Sequence, residues 1–166
     1  MTISMFTSEE KADLVQFATH TFAFLHEEYS FALPTIDDDD WSATNVVFLS
    51  KDIAVEVTLD WRERDVFVLL VRLEKGEMPE RGYVSSSGKV IRIHALGVVE
   101  REECTADQAV QARSRILARE KKRLEQRTVE FMKSQLEDNS QLLRACMDTI
   151  LQSSIKESFR KSDALR

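Results

Sequence analysis

The stretch VVFLSKDIAVEVTLDWRERDVFVLLVRL, Val46 to Leu73, decides the fold. It holds three short runs of β-branched, aromatic and aliphatic residues, separated by the polar turns Lys51-Asp52 and Trp61 to Arg64. Runs of this length and spacing predict an antiparallel meander. In the middle run Ile53, Val55, Val57 and Leu59 alternate with Ala54, Glu56, Thr58 and Asp60. One face is therefore packed and the other wetter. The third run, Val66 to Leu73, is apolar on both faces, which predicts the central strand of the sheet with a cover on each side. Phe22, Leu25 and an apolar face from Leu143 to Phe159 are the candidate covers.

The flanking segments change period. Upstream, Ser8 followed by Glu9 and Glu10 reads as a helix N-cap with acids in the first turn. Leu14, Ala18, Phe22, Leu25 and Tyr29 then recur at helical spacing, predicting one helix that ends before Pro34. Downstream, the turn-rich Ser85 to Gly88 introduces Lys89 to Val99 as a fourth strand. Thr105 to Gln108, TADQ, fits a capping box and opens a helix. Gly and Pro are absent after Gly97, so the whole tail reads as helical, interrupted at Glu137 to Ser140, EDNS. The expectation is a single α+β domain over residues 1–166: an N-terminal helix, a meander of about four strands, then one long and one terminal helix packed on the sheet.

Composition supports a folded, globular chain, with 43% apolar and 31% charged residues and only four Gly and two Pro in 166 residues. The opening MTISMFTSEE has neither the basic nor the apolar region of an export signal, and no apolar run approaches a membrane span. These features predict a cytoplasmic protein without membrane contact. Cys104 and Cys146 lack metal-ligand spacing and are expected as reduced thiols. Charge is uneven: residues 1–104 carry ten Lys and Arg against twenty Asp and Glu, net −10, whereas residues 105–166 are net +4. An acidic front and a mildly basic rear either attract each other or present opposite potentials to partners.

The densest part of the acidic front is IDDDDWS, with Asp37, Asp38, Asp39 and Asp40 followed by Trp41. Metal loops alternate their acids and use Gly for a sharp turn, and neither feature is present here. A docking surface for a basic partner, with Trp41 as the anchoring ring, is the functional reading. A solvated acidic loop with Trp41 against the core is the plain alternative. His20 and His26 stand six apart and cannot share a helix face as a ligand pair. Nucleophile-elbow, phosphate-loop and dinucleotide motifs are absent, so no catalytic residue, metal or cofactor is assigned. DWRERD, Asp60 to Asp65, is the one carboxylate cluster on which a hydrolase could be built, with a salt-bridged turn as its ordinary reading. The basic run Arg113 to Arg127 lacks aromatic neighbours and is interleaved with Glu120 and Glu125, which disfavours nucleic acid. Val110, Leu117, Leu124 and Phe131 fall at intervals of seven and admit a homo-oligomeric seam, though Ser114, Lys121 and Thr128 leave its companion column polar.

Two phrases carry a resemblance. FAFLHEEYSFALP, Phe22 to Pro34, leads into the meander, and LEDNSQLLRACM, Leu136 to Met147, opens the terminal helix. Together they resemble small uncharacterised bacterial α+β proteins with an FL-x-x-EYGF-like phrase and an L-x-x-NA-x-LLRGD-like phrase. Ser30 stands where that pattern has Gly, and Ala145-Cys146 where it has Gly-Asp. Some proteins of this look are regarded as immunity proteins of toxin systems. The resemblance implies a non-enzymatic, partner-binding role and brings no catalytic residues.

Overall fold

The computed structural model describes residues 5–39 and 42–164. The order is α1 (Ser8–Thr21), α2 (Phe24–Tyr29), β1 (Thr35–Asp39), β2 (Ala43–Leu49), β3 (Ile53–Asp60), β4 (Asp65–Arg72), β5 (Arg92–His94), α3 (Ala95–Glu100), α4 (Asp107–Glu120), α5 (Val129–Leu151) and α6 (Ser153–Ala164). The strands form one antiparallel sheet in sequence order, β1-β2-β3-β4-β5, and helices pack on it, an α+β architecture.

The two-residue period sorts the sheet into faces. Val46, Phe48, Val55, Val57, Leu59, Val66, Val68, Leu70 and Ile93 share a core with Leu14, Phe22, Leu25, Leu143, Met147, Ile150 and Phe159 from the helices. β4 lies inside the sheet, between β3 and β5. The expected helical covers occupy one of its faces. The other is covered by an irregular segment: Leu73 and Met78 pack on Val47, Ala54 and Val71.

Several local expectations are corrected. Thr7, not Ser8, caps α1: its Oγ1 accepts from Glu10 N at 3.1 Å, and Glu10 Oε1 accepts from Thr7 N at 2.9 Å. The first helix breaks after Thr21, which lets Phe22 and Phe24, nearly opposite on a continuous helix, stack at 6.2 Å within one core. α2 then ends at Ser30 in the left-handed region, φ 62°, a conformation in which Gly is unstrained. Ile36 to Asp39 do not form a loop, because Thr35–Asp39 is β1, and Asp40 lies outside the described residues. The fourth expected strand shrinks to Arg92–His94, since Ala95, Val98 and Val99 recur at helical spacing and are buried together as α3. The TADQ capping box is absent: α4 begins at Asp107 and its N-cap Ala106 makes no side-chain bond.

The tail breaks at places other than the one expected. α5 runs unbroken through Glu137–Ser140, and the interruptions lie between α4 and α5, around a 3-10 turn at Leu124–Gln126, and at Gln152 between α5 and α6. Asp, Asn and Ser disfavour helix interiors by bonding elsewhere. Here their side chains are engaged within the helical frame: Asn139 Nδ2 donates to Gln135 O at 2.8 Å, Ser140 Oγ donates to Glu137 O at 2.7 Å, and Asp138 takes two arginines from α4. Thr128 caps the start of α5, accepting from Phe131 N at 3.2 Å.

The cysteines are also corrected. Cys104 and Cys146 form a disulfide with Cα atoms 5.8 Å apart, tying the segment before α4 to α5 across 42 residues of sequence. Their spacing carried no sign of this, because the contact exists only once α5 lies beside α3 and α4. A cross-link closing a loop of that length is worth up to about 4 kcal/mol through the unfolded chain. Cys104→Ser with Cys146→Ser should therefore lower the urea midpoint in proportion. Reduction of the native protein should reproduce the loss, and the double variant should be indifferent to reductant.

Candidate functional site

The acidic stretch lies on the free edge of the sheet. β1 pairs with β2 in a register that sets Asp37 opposite Asn45 and Asp38 opposite Thr44. Successive side chains on a strand point to opposite faces, and the two carboxylates separate accordingly. Asp37 turns to the face away from the helices, where Arg81 Nη2 lies 3.6 Å from its Oδ2. Asp38 turns toward α1. Its Oδ1 accepts from Thr44 Oγ1 at 2.7 Å, and Thr44 Oγ1 in turn accepts from Trp61 Nε1 at 3.0 Å, so an edge carboxylate is linked to a buried indole. Asp39 closes the strand, while Asp40 and Trp41 lie outside the described residues. Among the described residues there is no group of three or more His, Cys, Asp and Glu able to hold a metal ion.

Each face of β1 borders a groove. On the α1 side a groove of about 550 Å³ is lined by Lys11, Val15, Pro34, Ile36 and Asp38. On the opposite side a cleft of about 420 Å³ lies over Asn45, Val47, Glu56, Thr58 and Leu69, walled by Met78, Arg81 and Tyr83 of the segment joining β4 to β5. This wall is held by one buried arginine. Arg92 Nε and Nη2 donate to the two Glu56 oxygens at 3.2 and 3.4 Å, and Arg92 Nη1 donates to the carbonyls of Glu80 at 2.6 Å and Gly82 at 2.9 Å. Beside it Tyr83 Oη lies 3.0 Å from His94 Nε2. Burial lowers the His94 pKa, with Glu100 opposing, and burial followed by the Glu56 charge raises that of Tyr83. The neutral forms of both groups are favoured, and a neutral pair can share one hydrogen bond.

Sequence reasoning placed Glu56 on the wetter face and gave Arg92 no role. The two meet diagonally across β4, with Glu56 opposite Leu69 and Arg92 opposite Val71. Only the register brings them together. A charged residue inside each of two apolar strands was the available signal, because such charges are buried only when paired.

The remaining candidates make contacts within the fold. In DWRERD, Asp60 Oδ1 accepts from the backbone N–H groups of Arg62 and Glu63 at 3.0 and 2.9 Å, so it closes the turn. Asp65 is 5% exposed; its Oδ1 accepts from Val66 N at 2.8 Å and Gln135 Nε2 at 3.2 Å, and Arg127 Nη1 lies 3.6 Å from its Oδ2. Burial outweighs these contacts and raises its pKa. Four arginines of the basic run are engaged within the fold, whereas Lys121, Lys122 and Arg123 are exposed. Arg115 and Arg119 both bind Asp138, Arg113 meets Glu100 at 3.3 Å, and Arg127 donates to the carbonyls of Glu63, Glu120 and Lys122. Val110, Leu117, Leu124 and Phe131 are spread over α4, the 3-10 turn and α5, so they form no single helical seam; the buried face of α4 is Ala109, Ala112 and Ile116.

No protein-family model, curated protein or solved structure matches the chain.

Two stability outcomes follow from these contacts. Glu56→Leu leaves Arg92 charged and buried without its partner and should cost about 3–5 kcal/mol in a urea titration. Adding Arg92→Met should recover much of that loss while speeding amide exchange at Gly82 and Tyr83, whose loop loses its clamp. For Asp65 the folded pKa lies above the ordinary 3.8. The stabilisation tied to its proton is complete below that value and is lost as pH rises through the folded pKa. Measured against Asp65→Asn, the native protein should therefore lose relative stability as pH is raised from about 4 through the folded pKa, and a relative gain over that range would contradict the assignment.

Proposed function

We propose that the chain is a non-catalytic protein-binding module, an immunity-like inhibitor of bacterial type, that receives a basic partner protein on its acidic edge. The observation that carries this reading is the position of Asp37 and Asp38, exposed on the terminal strand of a sheet instead of on an unstructured loop. Charges held on a rigid edge attract a complementary surface and also fix its register. Among the described residues, no ion pair joins the rear half to Asp37 or Asp38. Arg113, Arg127, Lys133 and Arg144 answer Glu100, Asp65, Asp13 and Glu28, whereas Asp37 meets Arg81 across an exposed gap of 3.6 Å. Trp41 is assigned the anchoring ring that converts encounter into residence.

The location follows the partner. Cytoplasm is the compartment proposed from the sequence, and the Cys104–Cys146 bond weighs against it, since disulfides are rare where thiols are kept reduced. Thiol counting on protein trapped in acid from its host decides the matter.

The functional test is affinity capture with the native chain and with Asp37, Asp38, Asp39 and Asp40 replaced together by Asn, followed by binding kinetics at low and high salt. The partner should be basic. The Asn variant should associate about tenfold more slowly with a flattened salt dependence and an unchanged melting temperature. Trp41→Ala should act through the off-rate, by roughly 2 kcal/mol. Loss of the partner's own activity on mixing identifies an inhibitor. Unchanged kinetics in both variants would remove the reading.

A further inference from the structure

We infer that the partner is bound by strand addition: an extended basic segment pairs with the free edge of β1 as a sixth strand. The inference rests on the reading of a basic protein partner and adds the mode of recognition. The backbone alternation supplies its first support. Trp61 N donates to Ser42 O at 3.0 Å, so Ser42 and its alternate successors in β2 bond toward β3, and Asn45 and Val47 bond toward β1. Asp37 and Thr35, opposite them, are turned inward. The N–H and C=O groups of Ile36 and Asp38 consequently point away from the sheet and are unpaired among the described residues, the row that strand addition uses.

Space and charge supply the second. Side chains of an added strand alternate between the two faces, and each face of β1 borders a groove, about 550 Å³ on the Ile36 and Asp38 side and about 420 Å³ on the Asp37 side. A residue opposite Asp37 would meet its carboxylate at the separation of a cross-strand pair, which favours Lys or Arg there. Arg81 already shows a guanidinium accepted beside Asp37, and that pair is readily exchanged because its side chains are 65% and 56% exposed. A residue opposite Ile36, itself 49% exposed, is favoured if apolar. A second copy of this chain fits poorly. Antiparallel self-pairing centred on Asp37 would set Asp37 against Asp37 and Ile36 against Asp38, and like charges directly opposed are unfavourable.

The experiment uses the full-length chain, labelled with nitrogen-15, and two capped ten-residue peptides of alternating Lys and Val, one of them N-methylated at every Val. Ile36→Pro and Asp37→Asn are the variants. Proline is tolerated where an edge N–H faces solvent, so Ile36→Pro removes one outward donor and leaves the β1–β2 ladder in place. The plain peptide should bind and slow exchange of the Ile36 and Asp38 amides. N-methylation and Ile36→Pro should each weaken binding about tenfold or more, a loss on the order of one to two hydrogen bonds. Asp37→Asn should weaken it and flatten its salt dependence. If the methylated peptide binds as well as the plain one and the two amides stay unprotected, strand addition is overturned while the basic-partner reading survives. If neither peptide shows salt-dependent binding, both fall. The peptide comparison on the native chain holds even if Ile36→Pro does not fold. A concentration-dependent dimer in sedimentation, lost in Ile36→Pro, would assign the edge to self-pairing and overturn the proposal.

Discussion

β4 carries apolar side chains on both faces, and a strand of that kind is stable in water only when each face is covered. The remaining structure can be traced from this constraint. Val66, Val68 and Leu70 meet the helices, and α5 supplies much of that cover with Leu143, Met147 and Ile150. Leu69 and Val71 point the other way, where Val71 shares a small cluster with Val47, Ala54, Leu73 and Met78. An irregular segment covers this face, with Met78 and Leu73 over the patch and Arg92 clamped between Glu56 and the loop carbonyls. A loop with few apolar side chains covers less area than a helix would, and the shortfall is the cleft beside β1.

The helical half solves a different problem. α4 buries only Ala109, Ala112 and Ile116, a narrow stripe whose two alanines let it approach α5 closely, and Arg113, Arg115, Arg119 and Glu120 lie outside that stripe. As numbers rise along α4 they fall along α5: Arg115 meets Asp138 and Gln141, and Arg119 meets Gln135 and Asp138. The pair is antiparallel and fastened by charge-assisted hydrogen bonds, which are stronger than neutral ones. Gln135 passes the network on to Asp65 at the start of β4, while Arg127 reaches the same carboxylate and caps the end of α4 through Glu120 O. Arg115, Arg119, Gln135 and Arg127 thus join the helices to the sheet.

β1 ends the sheet with an acidic side chain on each of its faces. Unpaired strand backbone is a template for any other chain, and charges along it discourage indiscriminate pairing. Asp37 and Asp38 place two such charges on β1, one on each face. The proposed recognition of a basic partner would draw on the same carboxylates that discourage indiscriminate pairing.

Where the period was long and apolar, the sequence was enough to read the structure. The β2–β3–β4 meander, the inward set Val55, Val57 and Leu59, the interior position of β4 and the apolar face of the last helices all follow from side-chain alternation, because burial enforces those periods locally. The acidity of the front was equally legible, and so was the opposition of adjacent Asp side chains. Features built from residues far apart in the chain were not. That the acids form an edge strand depends on pairing with β2. The Cys104–Cys146 bond depends on α5 lying beside α3 and α4, and the Glu56–Arg92 clamp on two registers at once. The helix through Glu137–Ser140 persists because Asp138 finds Arg115 and Arg119 on a neighbouring helix. In each case a local preference for loop, thiol, solvent or turn was outweighed by a partner that sequence separation conceals, and only tertiary packing supplied it.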